Sequence, residues 1–467
     1  MATADQTHTR NAGLEEQSVH LPTLDGKPAT EPDLPGGGVV VPVEPAQRIA
    51  AVDVLRGFAL LGILAMNIVA FAWPFAAYDN PNINAGGSDT TNRLLWAFNH
   101  VLFSGKMMTL FSMLFGAGLV LMANRAELRG ASIRAVYYRR IAWLIVFGLI
   151  HGYLIWSGDI LFAYGVCGLL LYPIRTWTPR TLILTGSLLI GISLLAMAGL
   201  GLGLGWLENQ AQRLEAKTQA GQPLTPDQKD LVQSWNEARV MFRPSPDELR
   251  QEIDRFRGSF AEVVRKRVAE TAAFQIFYLP TIGIWGIGGR MLLGMGLMKL
   301  GVFSAARSRR FYLWMAILGY GVGLPLAVTS ALDIWALDFD PIHTMGRGQV
   351  LNFFASIPVA LGHTAMVMMA VQSGVFRSLQ RRLAAVGRMA LTNYLAQSLI
   401  CSLLFYGYGL GLFGSLDRPA LWLIVLGIWL LQLTYSPFWL ARFRFGPAEW
   451  LWRSLTYGRF QALRNPI

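Results

Sequence analysis

Charge is scarce in this chain. Only 15% of its 467 residues are Asp, Glu, Lys or Arg, while 53% are hydrophobic; soluble domains carry about a quarter charged residues. An ordinary soluble domain is excluded, and a polytopic membrane protein is indicated. Cysteine is nearly missing. Cys167 and Cys401 both lie in apolar runs, which excludes a disulfide framework and a thiolate metal site. The histidines stand singly, with no zinc or iron ligand spacing. Walker A, HExxH, EF-hand and Gly-x-Ser-x-Gly patterns are absent, as are short-period repeats. Gly283, Gly286, Gly288, Gly289, Gly294 and Gly296 share one apolar segment and read as close helix packing, not as a nucleotide loop.

What is present is a series of long apolar segments. Ten transmembrane helices are expected, near 49–72, 95–123, 135–156, 158–174, 181–206, 272–300, 310–332, 350–372, 384–407 and 419–440. The second contains Ser104-Gly105, a candidate break. Residues 1–47 carry seven acids and no apolar stretch, so they read as a disordered, acidic cytoplasmic tail and not as a signal peptide. Lys and Arg set the orientation. One set of loops and ends holds twenty of them, and the opposite short loops hold only Arg93, Arg347 and Arg418. The positive-inside rule then puts both termini in the cytoplasm. The net charge of +12 thus reflects topology, and no nucleic-acid partner is expected.

The chain divides into an N-terminal transmembrane region of five helices (48–206), an extracytoplasmic helical insertion (207–271), and a C-terminal transmembrane region of five helices (272–459). The last region ends in an amphipathic stretch, Pro447 to Tyr457, whose Trp450 and Trp452 suit the interface. The insertion holds eleven acidic and eleven basic residues. It reads either as a solvated excursion or as a lid over a substrate entrance.

Ionisable groups inside a bilayer are costly and usually face protein or a wet cavity. Four are expected there: Asp53, Arg56, Lys106 and Arg290. Asp53 and Arg56 are three apart and can pair. Asn67 lies eleven residues beyond Arg56, roughly 16 Å along one helix face. The pair is a structural salt bridge or part of a site, and Lys106 and Arg290 either snorkel or await an anion. His151 sits eight residues before Asp159, across a turn, where the acid can orient the imidazole as a general base; the plainer alternative is a packing histidine. His100, His363 and His343 are weaker candidates of the same kind. Asn393 and Gln397, at i and i+4, either glue helices together or line a substrate path. These positions together predict a hydrophilic crevice through the bilayer, with Arg56 at one end and His151 at the other.

Several motifs carry a resemblance. Asp53-Val-Leu-Arg-Gly, Lys106 to Gly118, His151 to Gly165, Gly387 to Tyr394, Phe405-Tyr406 and Gly446 to Thr456 resemble the YeiB-like bacterial membrane proteins, whose defining region is the domain of unknown function 418. The resemblance implies a bacterial cytoplasmic (inner) membrane protein. More distantly, the chain is similar to transmembrane acyltransferases of the acyltransferase-3 and heparan-glucosaminide acetyltransferase groups. That likeness implies transfer of an acyl group from a cytoplasmic acyl-CoA, such as acetyl-CoA, to an extracytoplasmic sugar or glycolipid. The acyltransferase-3 group places a catalytic His where this chain has Asn67. The base here would then be His151 with Asp159. Asn67 would hold the acyl carbonyl, and Arg56, Lys106 or the basic rims would meet the phosphates. The competing expectation is a proton-coupled transporter or lipid flippase.

Overall fold

The structure is a computed structural model that describes residues 50–83, 89–128 and 132–465. The expected tail lies outside the described residues. In chain order the helices are α1 (Ala50–Ala72), α2 (Thr90–Leu102), α3 (Lys106–Glu127), α4 (Arg134–Ile150), α5 (Leu161–Leu171), α6 (Pro179–Gln219), α7 (Pro226–Phe242), α8 (Pro246–Phe256) and α9 (Phe260–Ala273). They continue with α10 (Ile284–Lys299), α11 (Arg309–Ala336), the single turn α12 (Pro341–His343), α13 (Gln349–Ser373), α14 (Arg377–Arg388), α15 (Ala390–Phe405), α16 (Arg418–Arg442) and α17 (Pro447–Tyr457). Wider π-turns extend α4 over His151–Ile155 and join α9 to α10 over Phe274–Gly283.

Among the described residues, eight helical stretches are long and apolar enough to cross a membrane. The other two expected spans are shorter. The segment at 158–174 contains only the eleven-residue α5, because the chain spends residues 156–160 on a turn whose Trp156 and Asp159 are buried. The segment at 384–407 is two helices, α14 and α15, broken at Met389. The expected second span also breaks, at Phe103–Gly105, where Gly105 takes a positive φ of 75° that costs glycine little.

The most apolar stretch of α1 is 78% buried, against 22% for that of α6. α1 is therefore the central helix and α6 a peripheral one. On α6 the buried Leu182, Gly186 and Ile190 repeat every four residues, while Leu184, Leu188, Leu195 and Leu202 are exposed, the pattern of a helix with one face on protein and one on lipid. The central helices meet closely. α3 and α10 cross at Gly116 and Gly294, where a methyl group on either would enter the other helix's main chain. α1 and α14 cross in the same way at Gly57 and Gly387. Small residues permit such backbone approach.

α6 has 41 residues and is about 60 Å long, twice the hydrocarbon thickness. It runs without a break from the expected fifth span into the 207–271 segment. At the other end of that segment α9 passes through the π-stretch into α10, so 260–299 is one continuous helical run. Capping boxes start α7, α8 and α9 at Thr225, Ser245 and Ser259, satisfying the first free amides of each. Arg243 ties α7 down by ion pairs to Glu208 (2.6 Å) and to Asp340.

Arg125, Arg140, Arg388 and Arg453, all from the basic loop set, lie together at one end of the bundle, with the starts of α1, α4 and α15. We call this the basic end.

Candidate functional site

The site is built around the end of α4. There the helix widens into a π-turn, and the Trp156 amide donates to the His151 carbonyl five residues back, at 2.8 Å. Such turns release main-chain carbonyls and recur at functional positions. Three carbonyls of this turn find donors on other helices. Thr271 Oγ1 donates to Gly152 O (2.8 Å), the buried Arg267 to Leu154 O (2.5 Å) and Ser402 to Ile155 O (3.3 Å). α9 and α15 therefore pin the turn that carries His151.

His151 is buried, and both ring nitrogens are engaged. Nδ1 lies 2.9 Å from Asp159 Oδ1, and Nε2 lies 2.9 Å from Ser398 Oγ on α15. Asp159 also receives the amides of Leu161 (3.1 Å) and Phe162 (2.8 Å), capping the start of α5. A carboxylate can only accept, so His151 donates from Nδ1, and the neutral imidazole then presents the lone pair of Nε2 to Ser398. The ring of Tyr394, one turn before Ser398, packs on the imidazole with centroids 5.0 Å apart. On the far side, Trp156 stacks on Phe71, and Phe256, Tyr406 and Phe413 stack together beside them.

A cavity of about 320 Å³ leads from the basic end toward this cluster. Its mouth carries Arg56, Arg125, Arg140, Arg388 and Arg453, with Asp53 and Glu449 as the acids. Its inner walls are apolar, with Leu114, Phe115, Leu144 and Ile160, and it reaches Tyr164 and Tyr394. Asp53 pairs with Arg56 at 2.8 Å. Arg140 lies over the Trp452 ring at 3.6 Å, and the Trp452 indole donates to Arg140 O. Glu449 caps α15 from outside, accepting the Leu391 amide (2.6 Å), the Thr392 amide (3.0 Å) and the Thr392 hydroxyl (2.5 Å). Burial raises the Glu449 carboxyl above its ordinary value, and the Thr392 and Leu391 donors draw it back. α17 thus walls the cavity as well as ending the fold.

The predicted residues separate into three groups. Asp53 and Arg56 line the cavity, and His151 and Asp159 touch each other just beyond its inner end. Asn67 is half-buried and lies outside the lining; the α1 part of the wall ends at Arg56, and the next turns of α1 pack against Met107. Lys106, Asn393 and Gln397 lie outside the lining of this cavity. Lys106 is fully buried and donates to His100 O (2.6 Å) and to Asn352 Oδ1. Asn393 donates to Ser436 Oγ (3.0 Å), Gln397 to Gln432 Oε1 (2.9 Å), and Gln432 back to Asn393 O (2.9 Å). These amides join α15 to α16 and do not line this cavity. Arg290 is buried with its guanidinium over Phe353, 4.5 Å from the ring centroid. The cavity differs from the hydrophilic crevice expected between Arg56 and His151. The bore is apolar because its walls are the core faces of α3, α4 and α5, and Tyr394 closes it before His151.

An uncharacterized protein YeiB of Escherichia coli (strain K12) is 32% identical over 419 residues, spanning 88% of this chain and 96% of the relative. The chain belongs to the YeiB-like DUF418 family. An uncharacterized YxaH of Bacillus subtilis (strain 168) is 30% identical over 437 residues, covering 89% and 96% of the two chains. A 39.9 kDa protein encoded in an amylase 3' region of Bacillus acidopullulyticus is 27% identical over 420 residues, covering 90% and 96%. The family model described as "protein of unknown function (DUF418)" matches residues 297–459. That stretch contains Arg388, Tyr394, Ser398 and Glu449 but not His151 or Asp159. No solved structure matches the chain significantly.

Sequence reasoning missed Ser398, Tyr394 and the cavity role of Arg125, Arg140, Arg388 and Arg453. The arginines were visible, but only as members of the orienting set. Ser398 is 247 residues from His151, and no local spacing joins them.

Proposed function

We propose that this protein is an acyltransferase of the bacterial cytoplasmic membrane, taking an acyl group from an acyl-CoA at its basic end. The charge rule makes that end cytoplasmic, which is where acyl-CoA is found. The acceptor is a sugar or glycolipid approaching from the opposite side or from the surrounding lipid.

The cavity carries the reading. Its mouth of arginines suits the nucleotide phosphates, which guanidinium groups bind through charge-assisted hydrogen bonds. Its narrow apolar bore suits the uncharged pantetheine arm. From Arg140 to His151 along α4 is about 16 Å, the scale of that arm extended. The thioester would then stand at Tyr394, beside an imidazole whose Nδ1–H is held by Asp159 and whose Nε2 is a proton acceptor. Lys106, Asn393 and Gln397 have no part in donor binding on this reading.

The experiment is labelled acetyl-CoA added to inverted membrane vesicles carrying the protein or its His151→Ala variant. Label passing to a lipid or sugar fraction, and lost in the variant, is the expected result. Proton-gradient-driven movement of a solute with no consumption of acetyl-CoA would overturn the reading in favour of transport.

A further inference from the structure

We propose that Ser398 is a nucleophile, so that transfer proceeds through an acyl-serine with His151 and Asp159 completing a triad. This rests on the acyl-transfer reading. Its starting point is that the place a general base would offer to an acceptor hydroxyl is taken: Ser398 Oγ sits 2.9 Å from His151 Nε2.

The hydrogen bonds give the direction of proton transfer. Asp159 already accepts two amides and fixes the imidazole proton on Nδ1. In that tautomer Nε2 accepts, and the Ser398 hydroxyl is within reach to donate to it. The usual alternative for a helical hydroxyl is the carbonyl four residues back. At the buried Thr109, Ser112 and Thr364 that bond is short, 2.7, 2.8 and 2.8 Å. For Ser398 to Tyr394 O it is 3.3 Å. The serine has turned from its own helix toward the histidine. Serine, imidazole and carboxylate in this order, each within hydrogen-bond reach, are recognised by geometry and not by chain order.

In the first half-reaction the Ser398 oxygen attacks the thioester carbonyl as its proton passes to His151 Nε2. The carbon–sulfur bond breaks, an oxygen ester forms, and His151 returns the proton to the departing thiolate, releasing CoA thiol. In the second, an acceptor hydroxyl gives its proton to His151 and attacks the acyl-serine. The ester oxygen of Ser398 leaves and recovers that proton. Tyr394 shares a helix face with Ser398 and separates it from the bore, so rotation of its ring admits the thioester. A covalent relay lets the CoA leave toward the basic end before an acceptor arrives from the other side, and no open channel through the bilayer is needed.

The test is the full-length protein in nanodiscs with labelled acetyl-CoA and no added acceptor, quenched in acid. The expected result is close to one equivalent of CoA thiol per chain, with an acetyl group on the Ser398 peptide that hydroxylamine removes. Ser398→Ala and His151→Gln should each abolish the label. A fluorophosphonate probe asks the same of the serine without CoA. An adduct at Ser398 that disappears in His151→Gln supports the proposal, whether or not acetyl-CoA is the donor, and no adduct at Ser398 counts against it. If CoA thiol appears only when acceptor lipid is added, and Ser398→Ala turns over within threefold of the parent, transfer is direct. The nucleophile is then wrong while the acyltransferase reading stands.

Discussion

Two buried histidine clusters stand in this membrane domain, and their serines point opposite ways. Around His100, Nε2 meets Ser330 Oγ at 2.9 Å, but that hydroxyl donates to Gly348 O at 2.8 Å. Its proton is committed, so His100 must donate and has no lone pair to offer the serine. Lys106 bonds the His100 carbonyl and Asn352, and His363 bonds Leu102 O and the Tyr320 hydroxyl. No residue of this cluster lines the cavity. Around His151 the carboxylate of Asp159 reverses the tautomer, Ser398 faces the bare nitrogen, and the cavity ends one ring away. Both clusters are histidines on membrane helices hydrogen-bonded to serine. Only a carboxylate and a route from the surface distinguish a candidate reaction centre from internal cross-bracing.

The sharpest way to break that contrast is to alter the two imidazoles in parallel. His151→Gln should lower acyl transfer from labelled acetyl-CoA at least about 100-fold, the range for a lost general base. His100→Gln should leave it within about threefold, because a side-chain amide can still bond Ser330. Equal losses would erase the distinction. Next in size are the arginines. Arg388→Ala should raise the donor KM by about ten- to a hundredfold, the equivalent of one charge-assisted hydrogen bond, with kcat little changed and the effect fading at high salt. An unchanged KM at both low and high salt would move the donor elsewhere.

Lys106 sharpens the other side of the comparison. Lys106→Met strands two buried acceptors and should cost about 1–3 kcal/mol of stability, read as a lower unfolding temperature, while the donor KM stays put. A KM change would return Lys106 to the binding site. The smallest effect expected is at the end away from the arginines, outside both clusters. Asp79 follows α1 and accepts Gln349 Nε2 at 2.9 Å. Burial raises its carboxyl to about 6, against a pull downward from Gln349 and Arg418. The folded state therefore holds this proton more tightly than the unfolded chain. Asp79's contribution to stability is greatest at low pH and falls as pH rises through the ordinary carboxylate range toward 6. Asp79→Asn should flatten that part of the melting-temperature profile without touching transfer; an unchanged slope from pH 4 to 6 would show that the carboxyl is solvated.

Legibility followed distance along the chain. His151 and Asp159 are eight residues apart across one turn, and their contact was foreseeable from that spacing. The break near Gly105 and the close packing of the Gly283–Gly296 run were legible for the same reason, since backbone freedom and side-chain size are local properties. Asn67 shows where periodicity stops. It shares a face with Arg56, but the cavity follows neighbouring helices and leaves that face after one turn. Asn393 and Gln397 were equally consistent with glue or with a substrate path until α16 supplied their partners. By composition the 207–271 segment reads as a solvated excursion or a lid, yet Thr271 and Arg267 from its end hold the turn that bears His151.

By itself, the sequence determined that this is a helical membrane protein with its positive charge gathered on one set of loops. Lipid permits little else for a chain with these apolar lengths and so few charges. Only the tertiary structure decided which arginines share a mouth, that Tyr394 ends the bore, and that Ser398 reaches an imidazole 247 residues away. Those relations depend on how helices distant in sequence pack, and side-chain spacing within one segment carries no information about its neighbours.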